Sequence, residues 1–419
     1  MELFAIKGTI IYSENLKELK ICESGYLVCQ DGISQGVYED LPEQWSGIEV
    51  VDYGNRIVIP GLVDLHIHAP QYVNRGIGMD MELLDWLNTY TFPEEGKYGE
   101  VEYAKAAYQI FVDNLKKSGT TRICAFGTIH NEATTILAQL LEESGIRGFV
   151  GKVSMNRNAP EFLCEEEAEV QARAWIEEVS KTCKNIKPIV TPRFIPSCTD
   201  ELMQELGNVQ KEYGLPLQSH LSENEGEIAW VKELCPKSEF YGDAYDKCDT
   251  FGSNGATVMA HCVHSDARER KLIKERGVYV AHCPESNTNL SSGIAPIRSF
   301  IEEGVNIGLG TDISGGHELS MFRVMKAAVQ VSKLYWRLID QSKQPLSMEE
   351  AFYLATKGGG AFFGKVGSFE AGYEMDAVVI DDSDLNPMIQ LDSRNRLERI
   401  VYGMQDEYIT DVYVAGSKI

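Results

Sequence analysis

His66 and His68 stand two residues apart at the end of the apolar text of residues 61–71, GLVDLHIHAPQ. Side chains on a strand alternate faces, so both imidazoles point the same way and can share one metal ion. Polar rings aimed into an apolar interior need partners, and distant parts of the chain supply them. His220 sits in LPLQSHLSE, His261 and His264 in ATVMAHCVH, and Asp312 in the Gly-rich run NIGLGTDIS. Three imidazoles and one carboxylate suit zinc with a position open to water; iron and manganese tolerate the same donors. His261 and His264 are three residues apart, so a strand aims only one of them into the site. His130, His282 and His317 are expected to be structural. Glu223 follows His220 by three residues. A chain leaving its strand at Ser222 would hang this carboxylate over the metal, where it can accept and return protons in a hydrolysis.

These residues need elements that bring them together. Eight short apolar runs alternate with helical text: residues 61–68, 120–130, 148–156, 187–194, 215–223, 256–264, 277–285 and 306–314. Such runs read as strands buried on both faces. Helices are predicted over 165–183, over 200–213 behind a Thr199 cap and over 266–276 behind Ser265, with a Ser347–Glu350 capping box after the eighth strand. Eight strands and helices in alternation predict a (β/α)₈ barrel of the TIM type, with the chemistry at the C-terminal strand ends. The candidate residues fall at those ends. Residues 74–98 form a long insertion after the first strand, expected to be irregular and to serve as a lid or a subunit contact. Both ends of the chain read differently, as short strand-like runs with turns (FAIKGTIIYS, YLVCQDG, RIVIP; MDAVVIDD, RIVYGM, DVYVAGSKI). They predict one accessory β-sandwich closed by both termini, with domain limits 1–59 and 366–419 around a barrel at 60–365.

Composition excludes several function classes. The chain has 419 residues, 43% of them hydrophobic, which suits one barrel-sized domain plus an accessory one. Lys+Arg 39 against Asp+Glu 63 gives a formal charge of −24, which argues against nucleic-acid or anionic-membrane binding through a broad basic face. No run reaches the ~20 apolar residues of a membrane span, and the first residues lack signal-peptide character, so a cytoplasmic location is expected. The 10 cysteines are scattered without a Cys-x-x-Cys pair and read as reduced packing residues.

Taken together, PGLVDLHIH, His220 with Glu223, His261, GTD at the eighth strand and GSFEAGYEMDAVVID resemble the amidohydrolase superfamily over essentially the whole chain. The fourth strand ends in TPRF, with no lysine there to bridge two metals, so the text is most similar to the mononuclear aminohydrolase branch. HIHAPQY, LLDWLNTYTFPEE, TPRFIPSC, SHLSENEGE and HCPESN resemble the purine-acting members of that branch. That resemblance implies one zinc per subunit on His66, His68, His220 and Asp312, and a guanine substrate bound by Gln71, Arg193 and Phe194. It implies hydrolysis to xanthine and ammonia in purine catabolism, with Glu223 as proton shuttle while Asp312 and His261 orient the attacking water. It also implies a homodimer. A sister enzyme acting on another amino-heterocycle, such as a modified purine, a pyrimidine or a triazine, is the nearest alternative.

Overall fold

A computed structural model describes residues 3–385, 388–403 and 405–419. Met404, which ends the strand-like text RIVYGM, lies outside them. Each of the eight apolar runs contains a strand. Leu62–His68, Thr120–Phe126, Arg147–Gly151 and Ile186–Pro188 form one parallel sheet in chain order. Leu217–Leu221, Thr257–His261, Tyr279–His282 and Asn306–Leu309 form a second. Backbone bonds also run between them. Val190 N donates to Pro216 O at 3.0 Å and Gln218 N to Val190 O at 2.9 Å. At the other edge Asp312 N donates to His66 O at 2.8 Å and His68 N to Ile313 O at 2.9 Å. The alternation of these strands with helices is a TIM-type α/β arrangement.

Both faces of the strands are buried, which explains why their text is apolar without alternation. Val63, Leu65, Cys124, Val258, Ala260 and Ala281 join one cluster. Their neighbours Ile123, Ala125, Val150 and Leu217 belong to another, which includes Ala104, Tyr108 and Phe111 of the helix Val101–Leu115.

The helices follow the sequence closely. Asp200–Tyr213 starts behind Thr199, whose side chain accepts from Leu202 N at 3.2 Å. Ser347 and Glu350 close their capping box. Ala267–Arg276 is capped one residue later than expected: Asp266 accepts from Arg268 N and Glu269 N, while the Ser265 hydroxyl goes to the Glu269 carboxylate.

Both termini meet in one seven-stranded mixed sheet, ordered Ser417–Lys418, Ile409–Val414, Ala377–Ile380, Glu49–Pro60, Leu3–Ser13, Leu19–Gln30, Ile33–Tyr38. A sandwich of two facing sheets was expected. Instead the long strand Leu3–Ser13 pairs on both edges, with register shifts near Gly8, and bulges of this kind bend a sheet. The sheet curls until its two end hairpins meet: Met375 N donates to Gly32 O at 2.8 Å and Gly416 N to Met375 O at 2.9 Å. Gly32 is needed there, because a Cβ on it would lie 2.5 Å from Ala415 O at a φ of +81°.

The expected strand in RIVYGM is instead the end of the helix Ser393–Gly403. Leu397, Ile400 and Val401 are buried at helical spacing, and this tertiary contact overrides the strand preference of the local text. Among the described residues no helix is long and apolar enough to cross a membrane, and no disulfide joins the cysteines.

Candidate active site

The C-terminal end of the first strand carries His66 and His68, both buried, with ring centroids 4.9 Å apart. Asp312 approaches from beyond the eighth strand. Its Oδ1 lies 3.2 Å from His66 Nε2 and 3.5 Å from His68 Nε2. His220, on the fifth strand, brings its Nε2 to 3.0 Å from His68 Nε2. Its other ring nitrogen, Nδ1, sits 2.6 Å from the Arg193 carbonyl. A carbonyl can only accept, so that Nδ1 carries the hydrogen and Nε2 presents a lone pair. The Phe126 ring backs all three imidazoles, at 5.0, 4.5 and 4.9 Å from His66, His68 and His220.

His261 ends the sixth strand. Its Nδ1 lies 2.9 Å from Asn287 Oδ1, and its Nε2 is 3.4 Å from Glu223 Oε2 and 3.7 Å from Asp312 Oδ2. His264 is turned away and meets the Ser292 carbonyl at 2.8 Å. One histidine of that pair therefore reaches the site. Ser222, His261 and Asp312 all hold positive φ, at 47°, 74° and 48°. Such conformations are strained for residues with a side chain and cluster where function fixes them. The bend at Ser222 is what carries Glu223 back over the histidines.

Electrostatics divides the two carboxylates. Burial, reinforced by the Asp312 and Glu227 charges, pushes the Glu223 carboxyl well above its ordinary range. Burial also opposes ionisation of Asp312, but His66, His261 and His68 outweigh it and hold that carboxyl well below the usual range. Burial is the leading influence on His66, His68 and His220 and lowers all three. The surroundings thus favour the protonated form of Glu223 and the ionised form of Asp312.

His68, His220, Glu223, His261 and Asp312 open onto a pocket that is also lined by Gln71, Arg193 and Phe194, with apolar walls from Leu83, Trp86, Leu87 and Leu290. The insertion after the first strand supplies three of those walls. It is largely helical, Leu83–Trp86 continuing through Leu87–Thr91 to Phe92–Gly96, rather than irregular. Trp86 lines the pocket, and Phe92 lies 5.1 Å below the Arg193 guanidinium. Tyr90 packs instead against Gly78.

Three residues here escaped the sequence reading. Glu95 is buried against Gln71 and Arg193, Asn287 anchors His261, and Asp64 ties the first strand to the eighth. Asp64 Oδ1 accepts from His66 N at 3.1 Å and from Thr311 N at 3.0 Å, so one carboxylate braces His66 and the neighbour of Asp312. Burial raises its own value to about 6. Asn287 follows HCPES directly. Lys152, buried between the two segments of the third strand, pairs with Glu165 and not with the histidines.

Comparison with known proteins adds sequence and fold likeness. The amidohydrolase family profile matches residues 57–419. The chain is 38% identical over 440 residues to the guanine deaminase of Dictyostelium discoideum, covering 99% of this chain and 97% of that one. It is 39% identical over 440 residues to the guanine deaminase of Mus musculus, at 99% and 96% coverage. Among solved structures, guanine deaminase from C. acetobutylicum with guanine bound in its active site superposes with a TM-score of 0.97 at 47% identity, covering 100% of both chains.

Proposed function

Because the chain belongs to the amidohydrolase family, we propose that it hydrolyses guanine to xanthine and ammonia, with Gln71, Arg193 and Phe194 holding the purine. The observation that carries this reading is the shared pocket: these three residues line the same space as His68, His220, Glu223, His261 and Asp312. A flat, neutral base needs an aromatic face and a few fixed polar groups, and the pocket offers both.

The donor set fits a divalent ion. His66 Nε2 is buried and faces Asp312 Oδ1 outside hydrogen-bond geometry, and His68 Nε2 and His220 Nε2 approach each other at 3.0 Å. A buried, unpartnered imidazole nitrogen beside a buried carboxylate, with two more ring nitrogens converging on them, suits a cation between them. Donor atoms of His66, His68 and Asp312, and separately of His66, His220 and His261, lie within 4.8 Å of one another. His66, His68, His220 and Asp312 would hold one zinc ion, with His261 beside it. When bound, zinc supplies Lewis-acid activation of a water at neutral pH.

The protein's own groups do the rest. Asp312, ionised, and His261 orient the attacking water towards the carbon that bears the exocyclic amine. Glu223 arrives protonated and gives its proton to a ring nitrogen as the C–O bond forms. As that bond forms Asp312 takes one proton of the water. The Glu223 carboxylate takes the other, from the new hydroxyl, and passes it to the departing amine as the C–N bond breaks. The proton held on Asp312 then returns Glu223 to its acid form. Leu83, Trp86 and Leu87 exclude bulk water from this exchange.

The same reading extends to organisation. The two parallel sheets are taken as one closed (β/α)₈ barrel over 60–365, supported by the backbone bonds at both seams, with 1–59 and 366–419 as the accessory part. The homodimer and the role in purine catabolism rest on the family resemblance, and the cytoplasmic location on the sequence reading of spans and leader character given above. The test is xanthine and ammonia release from guanine by metal-analysed protein, beside a panel of other amino-heterocycles. Turnover of another member of the panel with guanine inert would overturn the substrate assignment.

A further inference from the structure

Glu95 takes no part in the reaction derived above, yet it touches both polar groups assigned to the purine. It lies on the short helix Phe92–Gly96 and is 2% exposed. Its Oε1 accepts from Gln71 Nε2 at 2.8 Å and from Arg193 Nη2 at 3.2 Å, and its Oε2 accepts from Arg193 Nη1 at 2.6 Å. Phe92, three residues earlier, lies under the same guanidinium. One turn of helix therefore holds Arg193 by its edge and by its face.

The polarity of these bonds is informative. An ionised carboxylate can only accept, so the Gln71 amide must turn its NH₂ towards Glu95. On the far side Gln71 Oε1 accepts from Ser314 N at 3.1 Å, which requires the same orientation independently. A flipped amide would set oxygen against carboxylate and NH₂ against N–H. The hydrogens that Gln71 and Arg193 have left for a ligand are donors. They match a ring carbonyl and an unprotonated ring nitrogen, and they meet an amino group at the same place donor to donor.

We infer that Glu95 is a positioning residue that fixes the donor character of the purine pocket and so selects a 6-oxo over a 6-amino purine. The inference rests on the proposed function and deepens it. Glu95→Gln is isosteric but can accept properly from only one of its two partners, so it unsettles both Gln71 and Arg193.

The experiment compares wild-type and E95Q holoenzyme on guanine and on 2,6-diaminopurine, with bound metal measured in each. For guanine, KM is expected to rise about tenfold to a hundredfold, the range for losing a hydrogen bond to a charged group, while kcat stays within about threefold. The kcat/KM preference for guanine over 2,6-diaminopurine narrows, and metal content is unchanged. Folded E95Q with KM and preference unaltered overturns the inference alone. Wild-type protein inert towards guanine removes the proposed function and this inference with it. If E95Q does not fold, Glu95→Asp keeps an acceptor-only carboxylate at shorter reach. It should raise KM but retain the preference, and a folded E95D that loses the preference overturns the inference.

Discussion

Glu223 Oε2 lies 3.4 Å from His261 Nε2, and His261 is held from behind by Asn287 at 2.9 Å. The proposed proton carrier thus faces a ring whose orientation is fixed by a side chain 26 residues away. Glu223→Gln keeps the shape but offers no acidic proton, so kcat for guanine should fall by ~10²–10⁴. Elemental analysis should find the metal retained, because Glu223 is not among the proposed ligands. Loss of metal together with activity would move Glu223 into the ligand set.

Removal of the metal makes the second prediction. With the ion gone, His66 Nε2 is left buried and unpartnered beside Asp312, with His68 and His220 crowded against them. A strong chelator should abolish activity and lower Tm, and one equivalent of zinc per chain should restore both. His220→Ala should weaken metal binding by at least about 100-fold, more than loss of an outer hydrogen bond does. Near-stoichiometric metal in that variant would argue against His220 as a ligand.

Asp376 makes the third. Its buried carboxylate accepts from Arg122 Nε at 2.7 Å, Arg122 Nη2 at 3.0 Å, Thr121 Oγ1 at 3.0 Å and Ala415 N at 2.8 Å. It therefore pins the second parallel strand to the terminal sheet. Asp376→Asn leaves Arg122 with Glu374 alone and places an amide NH₂ among donors. Breaking a buried pair of this kind costs about 3–5 kcal/mol, read from urea unfolding. The KM of the folded variant should not move, since Asp376 does not line the pocket.

The sequence shows the site more readily than its supports, and the reason is physical. His66, His68, His220, His261 and Asp312 stand out because polar side chains ending buried apolar runs are costly unless they act together. Gln71, Arg193 and Phe194 came only through resemblance, since one polar and one aromatic residue at a strand end also suit an ordinary rim. Glu95 is 98 residues from Arg193 and lies in the insertion 74–98, where an irregular, exposed segment is expected. Only the fold makes it a buried partner. The curl of the terminal sheet was equally hidden, because bulges near Gly8 change register without changing the strand pattern. The helix Ser393–Gly403 was misread because IVY favours a strand locally, while the burial of Leu397 and Ile400 is decided from outside the segment.

His282 carries a prediction on acid stability. Both of its ring nitrogens are buried without a hydrogen-bond partner, and burial, with a smaller push from His261, depresses it from 6.5 to about 3. Between those values the unfolded chain binds a proton that the native ring refuses. Stability from this group is therefore complete above about 6.5 and is lost as pH falls towards about 3. The slope is at most ~1.4 kcal/mol per pH unit for one such group. His282→Leu removes this share while keeping an apolar filling. Its unfolding free energy should gain on the wild type by about that slope at each step from pH 6.5 to pH 4. The measurement is urea unfolding of both proteins, as metal-free and as zinc-loaded samples, at matched pH. Parallel curves across that range would mean that the native ring takes up its proton near the ordinary value. A water reaching its nitrogens would then have to be part of the native fold.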